Sequence, residues 1–335
     1  MPINHIQFQR GMSITDFMSR YGTEAQCESA LFASRWPRGF RCPRCTCSRH
    51  YVVEQDCRKL YQCWVCRHQT SLTSGTMMDS TKLPLRTWFL AIFLISQAKT
   101  GLAALALKRH LGVNYRTAWL MNQKILLTMA KRDERHPLQG NVQVDDAYLG
   151  GERPGVGGRG SKNKVPFVAA VELSDEGHPL RVKLNAVPTF SCKAITSWAK
   201  ANLKPGSDVL SDGLACFAGV VDAGCAHTWI VVGDRKPRDL PQFRWVNTIL
   251  GNVKTMISGA HKAFKFGKYH QRYLGAFSYR FNRRFDLRAQ VGGLIGHVAR
   301  AKPQPERLIR RVAVSYTHLR AHETDSYLVC RLLLE

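Results

Sequence analysis

Val142-Gln143-Val144-Asp145-Asp146-Ala147-Tyr148-Leu149-Gly150-Gly151 reads as a short strand that ends on a carboxylate, because Val142 and Val144 alternate and the glycine pair then breaks the run. The same device returns in Val209-Leu210-Ser211-Asp212-Gly213, a short apolar strand followed by an acid and a glycine. Beyond Asp212, with thirty-four residues between, Asn247 opens a segment that reads as a helix and carries Lys254 seven positions later. At about 3.6 residues per turn Asn247 and Lys254 share one face.

Two strand-end acids, a polar oxygen on a later helix and a lysine two turns further on suit phosphodiester chemistry. That chemistry needs a hard divalent cation, Mg²⁺ or Mn²⁺, which favours a few carboxylates over a full protein cage. With two metals roughly 4 Å apart, one activates the attacking hydroxyl and the other stabilises the leaving oxygen. Asp145 and Asp212 are the expected carboxylate ligands, Asn247 the neutral one, and Lys254 a contact to DNA phosphate. Asp146 is an outside candidate, because alternation along a strand turns it to the opposite, solvent-facing side. Asn252 rivals Asn247, but it lies about 140° round the helix and points away if Asn247 points in.

From residue 141 the pattern is strand, Gly-rich loop, two hairpin-connected strands, then alternating helix and strand. Three antiparallel strands followed by parallel strands with crossover helices predict an α/β fold, an RNase H-like mixed sheet with flanking helices over residues 140–290. In that layout the acids of the first and fourth strands meet and a late helix brings in the third ligand.

Six of the eleven cysteines fall between Cys42 and Cys66, and Cys42-Pro43-Arg44-Cys45 and Cys63-Trp64-Val65-Cys66 form two knuckles separated by seventeen residues. That spacing is expected of a structural four-cysteine zinc site in a ribbon over residues 36–75. Cys47 and Cys57 do not fit a second knuckle pair and are read as free thiols, with Cys47 a competing ligand. Arg44, Arg58 and Lys59 are the ribbon's candidate DNA contacts. Upstream, residues 1–35 hold an amphipathic helix pair.

Lys and Arg outnumber Asp and Glu 49 to 24, which makes a polyanion the natural partner. Residues 80–135 are helical, and a glycine turn at Gly112 between two amphipathic helices is the helix-turn-helix pattern. It puts Asn114, Tyr115 and Arg116 where base edges would be contacted. The loop after Gly150 lacks the lysine of a phosphate-binding P-loop and is read instead as a basic segment in which Arg159, Lys162 and Lys164 track a DNA backbone. No signal-peptide core is visible, and the longest apolar run, residues 88–95, is eight long against roughly 20 needed to span a bilayer. A cytoplasmic, nucleoid-associated protein without membrane contact is expected. Residues 291–314 read as a basic tail.

Taken together, these residues resemble a bacterial insertion-sequence transposase of the group with a zinc-ribbon head, a helix-turn-helix and an RNase H-like catalytic domain. The resemblance covers about residues 14–310. It is carried by Arg35-Trp36-Pro37-Arg38-Gly39-Phe40-Arg41-Cys42-Pro43-Arg44-Cys45, the Asp145 strand end, Ser211-Asp212-Gly213, the Asn247 to Lys254 helix, Lys268-Tyr269-His270-Gln271-Arg272-Tyr273-Leu274 and Tyr279-Arg280-Phe281-Asn282-Arg283-Arg284. It implies Mg²⁺-dependent cleavage at terminal inverted repeats and strand transfer into target DNA, with Asp145, Asp212, Asn247 and Lys254 as the catalytic set. Synapsis of two ends implies a homodimer or larger assembly. Two departures stand out: Asp146 where the group usually has Glu, and Asn247 in the third position, which removes a negative charge. A binder that has lost catalysis, and a nuclease acting without strand transfer, are the alternatives. Residues 315–335 resemble translated adapter read-through from metagenomic assemblies, and no function is drawn from them.

Overall fold

The computed structural model describes residues 9–55, 58–150, 164–235, 239–261 and 264–311. Two helices open it, α1 (Ile14–Tyr21) and α2 (Glu24–Arg35), each started by a reciprocal cap. Ser13 and Asp16, then Thr23 and Gln26, exchange side-chain and backbone hydrogen bonds, which satisfies donors a helix start leaves orphaned. Strands β1 (His50–Gln55), β2 (Arg58–Cys63) and β3 (Gln69–Ser71) form a small antiparallel sheet. This ribbon docks on α2 through a cluster of aromatic rings, Phe32, Trp36, Phe40, His50 and Tyr61, with centroids 4.5–6.0 Å apart.

Three helices follow: α3 (Leu85–Gln97), α4 (Ala104–Leu111) and α5 (Tyr115–Asp133). Pro84 is the N-cap of α3. Gly112 ends α4 at φ +65°, the left-handed conformation that turns the chain into α5.

The second sheet has the order β6-β5-β4-β7-β8, built from β4 (Asn141–Leu149), β5 (Val165–Leu173), β6 (Pro179–Ala186), β7 (Asp208–Asp212) and β8 (Ala226–Ile230). The pairs β4–β5 and β5–β6 are antiparallel, and β4–β7 and β7–β8 are parallel. This is the mixed α/β sheet the sequence pattern predicts. Helix α6 (Cys192–Asn202) precedes β7, and the β7–β8 crossover is a 3-10 helix (Ala215–Ala223). One sheet face, with Val142, Val144, Val168 and Ala170, packs on Ile195, Trp198, Phe217 and Val220. The other, with Phe167, Ala169 and Val171, is covered by α7 (Arg244–Ala260) through Val246, Ile249, Val253 and Met256. Helices α8 (Phe266–Asn282), α9 (Leu287–Arg300) and α10 (Glu306–Arg310) complete the chain.

The second core cluster runs without a break from Met12 through the ribbon and α3 to α9. One sequence expectation changes as a result. Residues 291–300 are no tail, since Val291, Leu294, Ile295 and Val298 of α9 are buried against α2 and α3. The end of α5 is a buried anchor: Asp133 accepts from Asn282 and pairs with Arg283 at 3.2 Å. Residues 312–335, including the segment that resembles read-through, lie outside the described residues. Among the described residues no helix is long and apolar enough to cross a membrane.

Helices α5 and α8 approach so closely that a methyl at Gly275 would fall 2.7 Å from Ala130 Cα. Gly275→Ala is expected to push the helices apart and cost about 1–3 kcal/mol in denaturant unfolding. Gly251→Ala on the exposed side of α7, where an added methyl meets nothing within 4 Å, should instead stabilise by about 0.5–1 kcal/mol.

Candidate active site

The parallel register of β4 on β7 runs Val142↔Val209, Gln143↔Leu210, Val144↔Ser211. The next position on each strand is an acid, so Asp145 and Asp212 stand side by side on the sheet face that α7 covers. An oxygen from each of Asp145, Asp146 and Asp212 lies within 4.8 Å of the others. Backbone donors hold two of the three carboxylates: Asp145 Oδ1 accepts from the Asp146 N–H at 2.8 Å and Asp212 Oδ1 from Leu214 N–H at 3.2 Å.

Asp146 was expected to face solvent on the far side of the strand, and the structure brings it into the acidic cluster instead. The reason is where β7 stops. Asp212 is its last residue, so Asp146 is paired with Val168 of β5 on one flank and has no strand residue beside it on the other. A side chain beside the end of a neighbouring strand is not confined as one flanked by strands on both sides is. On this flank burial pushes the Cys216 thiol up to about 11, helped by the negative charges of Cys192, Asp146 and Asp212, so Cys216 is no ready nucleophile.

A cleft of about 610 Å³ opens over the acids, and its wall includes Gly213, Val231, Arg235, Phe243 and Asn247. Asn247 therefore lines the same cleft as the carboxylates, whereas Asn252 is exposed elsewhere on α7 and is not in the cleft wall. Lys254 is exposed two turns along the helix, outside the cleft.

What sets α7 at this height is Gln143, a residue that the sequence reading passed over. Its buried side chain accepts from Val246 N–H at 3.1 Å and donates to the Gln242 carbonyl at 2.5 Å. Helix α7 has no side-chain cap of its own, so Gln143 serves as one from across the fold. The clamp sits two residues before Asp145 and takes hold one residue before Asn247. A polar residue in the inward register of an otherwise apolar strand was the signal that could have found it.

The donor set suits a hard cation. Carboxylate oxygens and one amide oxygen are Mg²⁺ ligands, and a separation within 4.8 Å approaches the roughly 3–4 Å between oxygens around such an ion. In the ribbon, the sulfurs of Cys42, Cys45, Cys63 and Cys66 also lie within 4.8 Å of one another, with Cys42–Cys66 at 3.5 Å and Cys45–Cys63 at 3.4 Å. A tetrahedron with Zn–S bonds of about 2.3 Å has sulfurs roughly 3.8 Å apart, so the four fit zinc. The two knuckles are built alike: Thr46 and Arg67, each directly after the second cysteine, have φ +62° and +56°, and each returns an N–H to the first cysteine's carbonyl. The Cys66 backbone N–H directed at its sulfur draws the Cys63 thiol down to about 6. Cys47 is not in the cluster, its sulfur being turned toward the Arg49 carbonyl at 3.8 Å. Cys57 lies outside the described residues.

The candidate DNA contacts are distributed differently. Arg44 and Tyr115 are exposed, but Lys59 pairs with Glu28 at 2.6 Å. The Asn114 side chain is the N-cap of α5, and Arg116 makes a two-pronged bond to Glu306 of α10. Lys164 is half-buried, while Arg159, Lys162 and the Arg58 side chain lie outside the described residues.

Residues 137–282 match the model of the ISXO2-like transposase domain, and residues 22–69 match the transposase zinc-ribbon domain. A curated relative, described as an uncharacterized protein in transposable element ISH50 of Halobacterium salinarum, is 27% identical over 192 residues. The match covers 51% of this chain and 62% of that relative.

Two measurements follow from this geometry. Gln143→Leu leaves the Val246 N–H without its partner and frees the start of α7. Mn²⁺ affinity, read by titration, should fall roughly 10–100-fold, with zinc content unchanged and Gln143→Glu, which still accepts from Val246, losing less. Stripping zinc with a chelator, or Cys63→Ser, should unfold the ribbon and expose Tyr61 and Trp36, read as a red shift of tryptophan emission; an unshifted spectrum would contradict a structural metal.

Proposed function

From the premise that this chain carries a transposase zinc ribbon followed by an ISXO2-like transposase domain, we propose that it is a DNA transposase that binds the terminal inverted repeats of its element, cleaves at the ends and transfers the strand into target DNA. The observation that carries the reading is the convergence of Asp145, Asp146 and Asp212 at one end of the sheet, opposite Asn247. In the first step water attacks phosphorus at the element end, the bond to the 3′ oxygen breaks, and a 3′ hydroxyl is freed. In the second that hydroxyl attacks a target phosphodiester, so one P–O bond forms as another breaks and no outside energy source is needed.

Bound Mg²⁺ would supply activation of the attacking oxygen and neutralisation of the leaving one. Asp145 and Asp212 are the ligands held on rigid strands. Asp146 joins them as a third carboxylate, and Asn247 adds a neutral oxygen from the opposite wall. Lys254, on the same helix face as Asn247, meets a phosphate of DNA that runs out of the cleft. We assign DNA approach to the ribbon, to the start of α5 at Asn114, Tyr115 and Arg116, and to the basic loop with Arg159, Lys162 and Lys164. The reading keeps ribbon, helix-turn-helix and catalytic sheet as units of one chain, working as a homodimer or larger synaptic assembly.

The test is cleavage of the element's own ends with Mg²⁺. Asp145→Asn and Asp212→Asn should each lower the rate on the order of a thousandfold while end binding survives. Retained cleavage in either would refute the assignment, and binding without cleavage in the parent chain would leave a zinc-stabilised DNA binder. Lys254→Ala should bind about tenfold more weakly and flatten the slope of log affinity against log salt by about 0.9.

A further inference from the structure

The ribbon has two aromatic faces. One is the buried cluster around Tyr61 that docks it on α2. The other is turned outward: Tyr51 and Trp64 contact each other with centroids 4.7 Å apart, yet remain 41% and 42% exposed. Arg49 lies over the Trp64 ring at 4.4 Å from its centroid, and Val65, at the tip of the same knuckle, is 67% exposed. Arg44, at the tip of the other knuckle, and Arg67, just past Cys66, are exposed as well.

Neither ring belongs to the buried core. Trp64 occupies a spacer position between two zinc-binding cysteines, where the knuckle asks only for backbone geometry. Tyr51 faces outward on β1, an edge strand. Leaving two large rings in water forgoes the stabilisation their burial would bring, so their place at the surface calls for an occupant.

We propose that Tyr51 and Trp64 form a stacking platform for unpaired DNA bases, with Arg49, Arg44 and Arg67 meeting the adjoining phosphates. Flat rings fringed by guanidinium groups match a base and its backbone, and the chain's formal net charge of +25 favours that partner over an acid-poor protein surface. Base faces inside a duplex are covered by their neighbours. The platform therefore selects single strands, frayed ends or overhangs rather than intact duplex. This deepens the transposase reading by naming the DNA form that the ribbon takes, but its test needs neither inverted repeats nor catalysis.

The experiment uses the full, zinc-loaded chain without Mg²⁺, and measures binding by fluorescence anisotropy to an unstructured thymidine oligonucleotide, a blunt duplex, and the same duplex with a short overhang. Trp64→Ala and Tyr51→Ala should each weaken the oligonucleotide and the overhang roughly five- to a hundredfold, leave the blunt duplex within about twofold, and keep the salt slope of the parent. Trp64→Phe should restore most of the loss. Arg49→Ala should lower the salt slope by about one phosphate contact on the single-stranded probe. One zinc per chain, measured on every variant, separates a lost platform from a lost ribbon. Equal losses on blunt duplex and oligonucleotide, or unchanged single-strand binding in both aromatic variants, would overturn the proposal. The second outcome is the one a protein-docking face would give. Failure of the element's ends to be cleaved would not affect it.

Discussion

The parallel pairing of β4 with β7 is the constraint on which the site depends. Its hydrogen bonds fix one register, and that register places Asp145 beside Asp212 although sixty-odd residues of chain separate them. A slip of one residue would turn Asp212 to the opposite face of the sheet, because side chains alternate. Burial guards against the slip. Val142, Val144 and Val209 are packed under α6 and the 3-10 helix, and reversing them would put those valines on the α7 side. The acids can sit at an open sheet end because the apolar residues just before them are so firmly placed.

The second pillar is the way α7 is carried. Its apolar face rests on β5 and β4, its start is held by Gln143, and Asn247, one residue past that hold, lines the cleft. One strand thus supplies a carboxylate of the cluster and the clamp that holds the start of another element. The cluster still musters three carboxylates although the residue on α7 is neutral, since Asp146 lies just past the end of β7. The chain's formal net charge of +25 contrasts with this acidic point, so a polyanion is favoured by the chain as a whole while a cation is favoured at the site.

Ribbon, helices and sheet are joined by buried contacts rather than strung on linkers. Tyr61 and Phe40 seat the ribbon on α2, Gly275 lets α8 lie directly on Ala130 of α5, and Asp133 ties the end of α5 to Asn282 and Arg283. The ribbon and α5 are therefore fixed relative to the acids. Glu306 on α10 lies across the start of α5, where its carboxyl is held down to about 2 by Arg116 and Arg310. DNA phosphates reaching that helix start must share or replace this carboxylate as the partner of Arg116.

By itself the sequence determined those features whose geometry lies within a few covalently linked residues. Two Cys-x-x-Cys turns bring four thiols into zinc geometry with little help from elsewhere. Apolar residues before an acid and a glycine mark the end of β7 at Asp212, although β4 runs on past Asp145 to Leu149, and seven positions on a helix bring Asn247 and Lys254 to one face. Tertiary structure decided what depends on where a neighbour ends or what it leaves unsatisfied. Asp146 enters the cluster because β7 stops at Asp212, a length that no residue in β4 encodes. Gln143 gains its role because a helix a hundred residues away begins without a cap of its own. Residues 291–300 become core because α2 and α3 present an apolar face to them. Asn114 and Arg116 were legible as the start of a helix, but their bonds to Thr117 and Glu306 were not, since a polar side chain takes whichever partner the fold brings within reach.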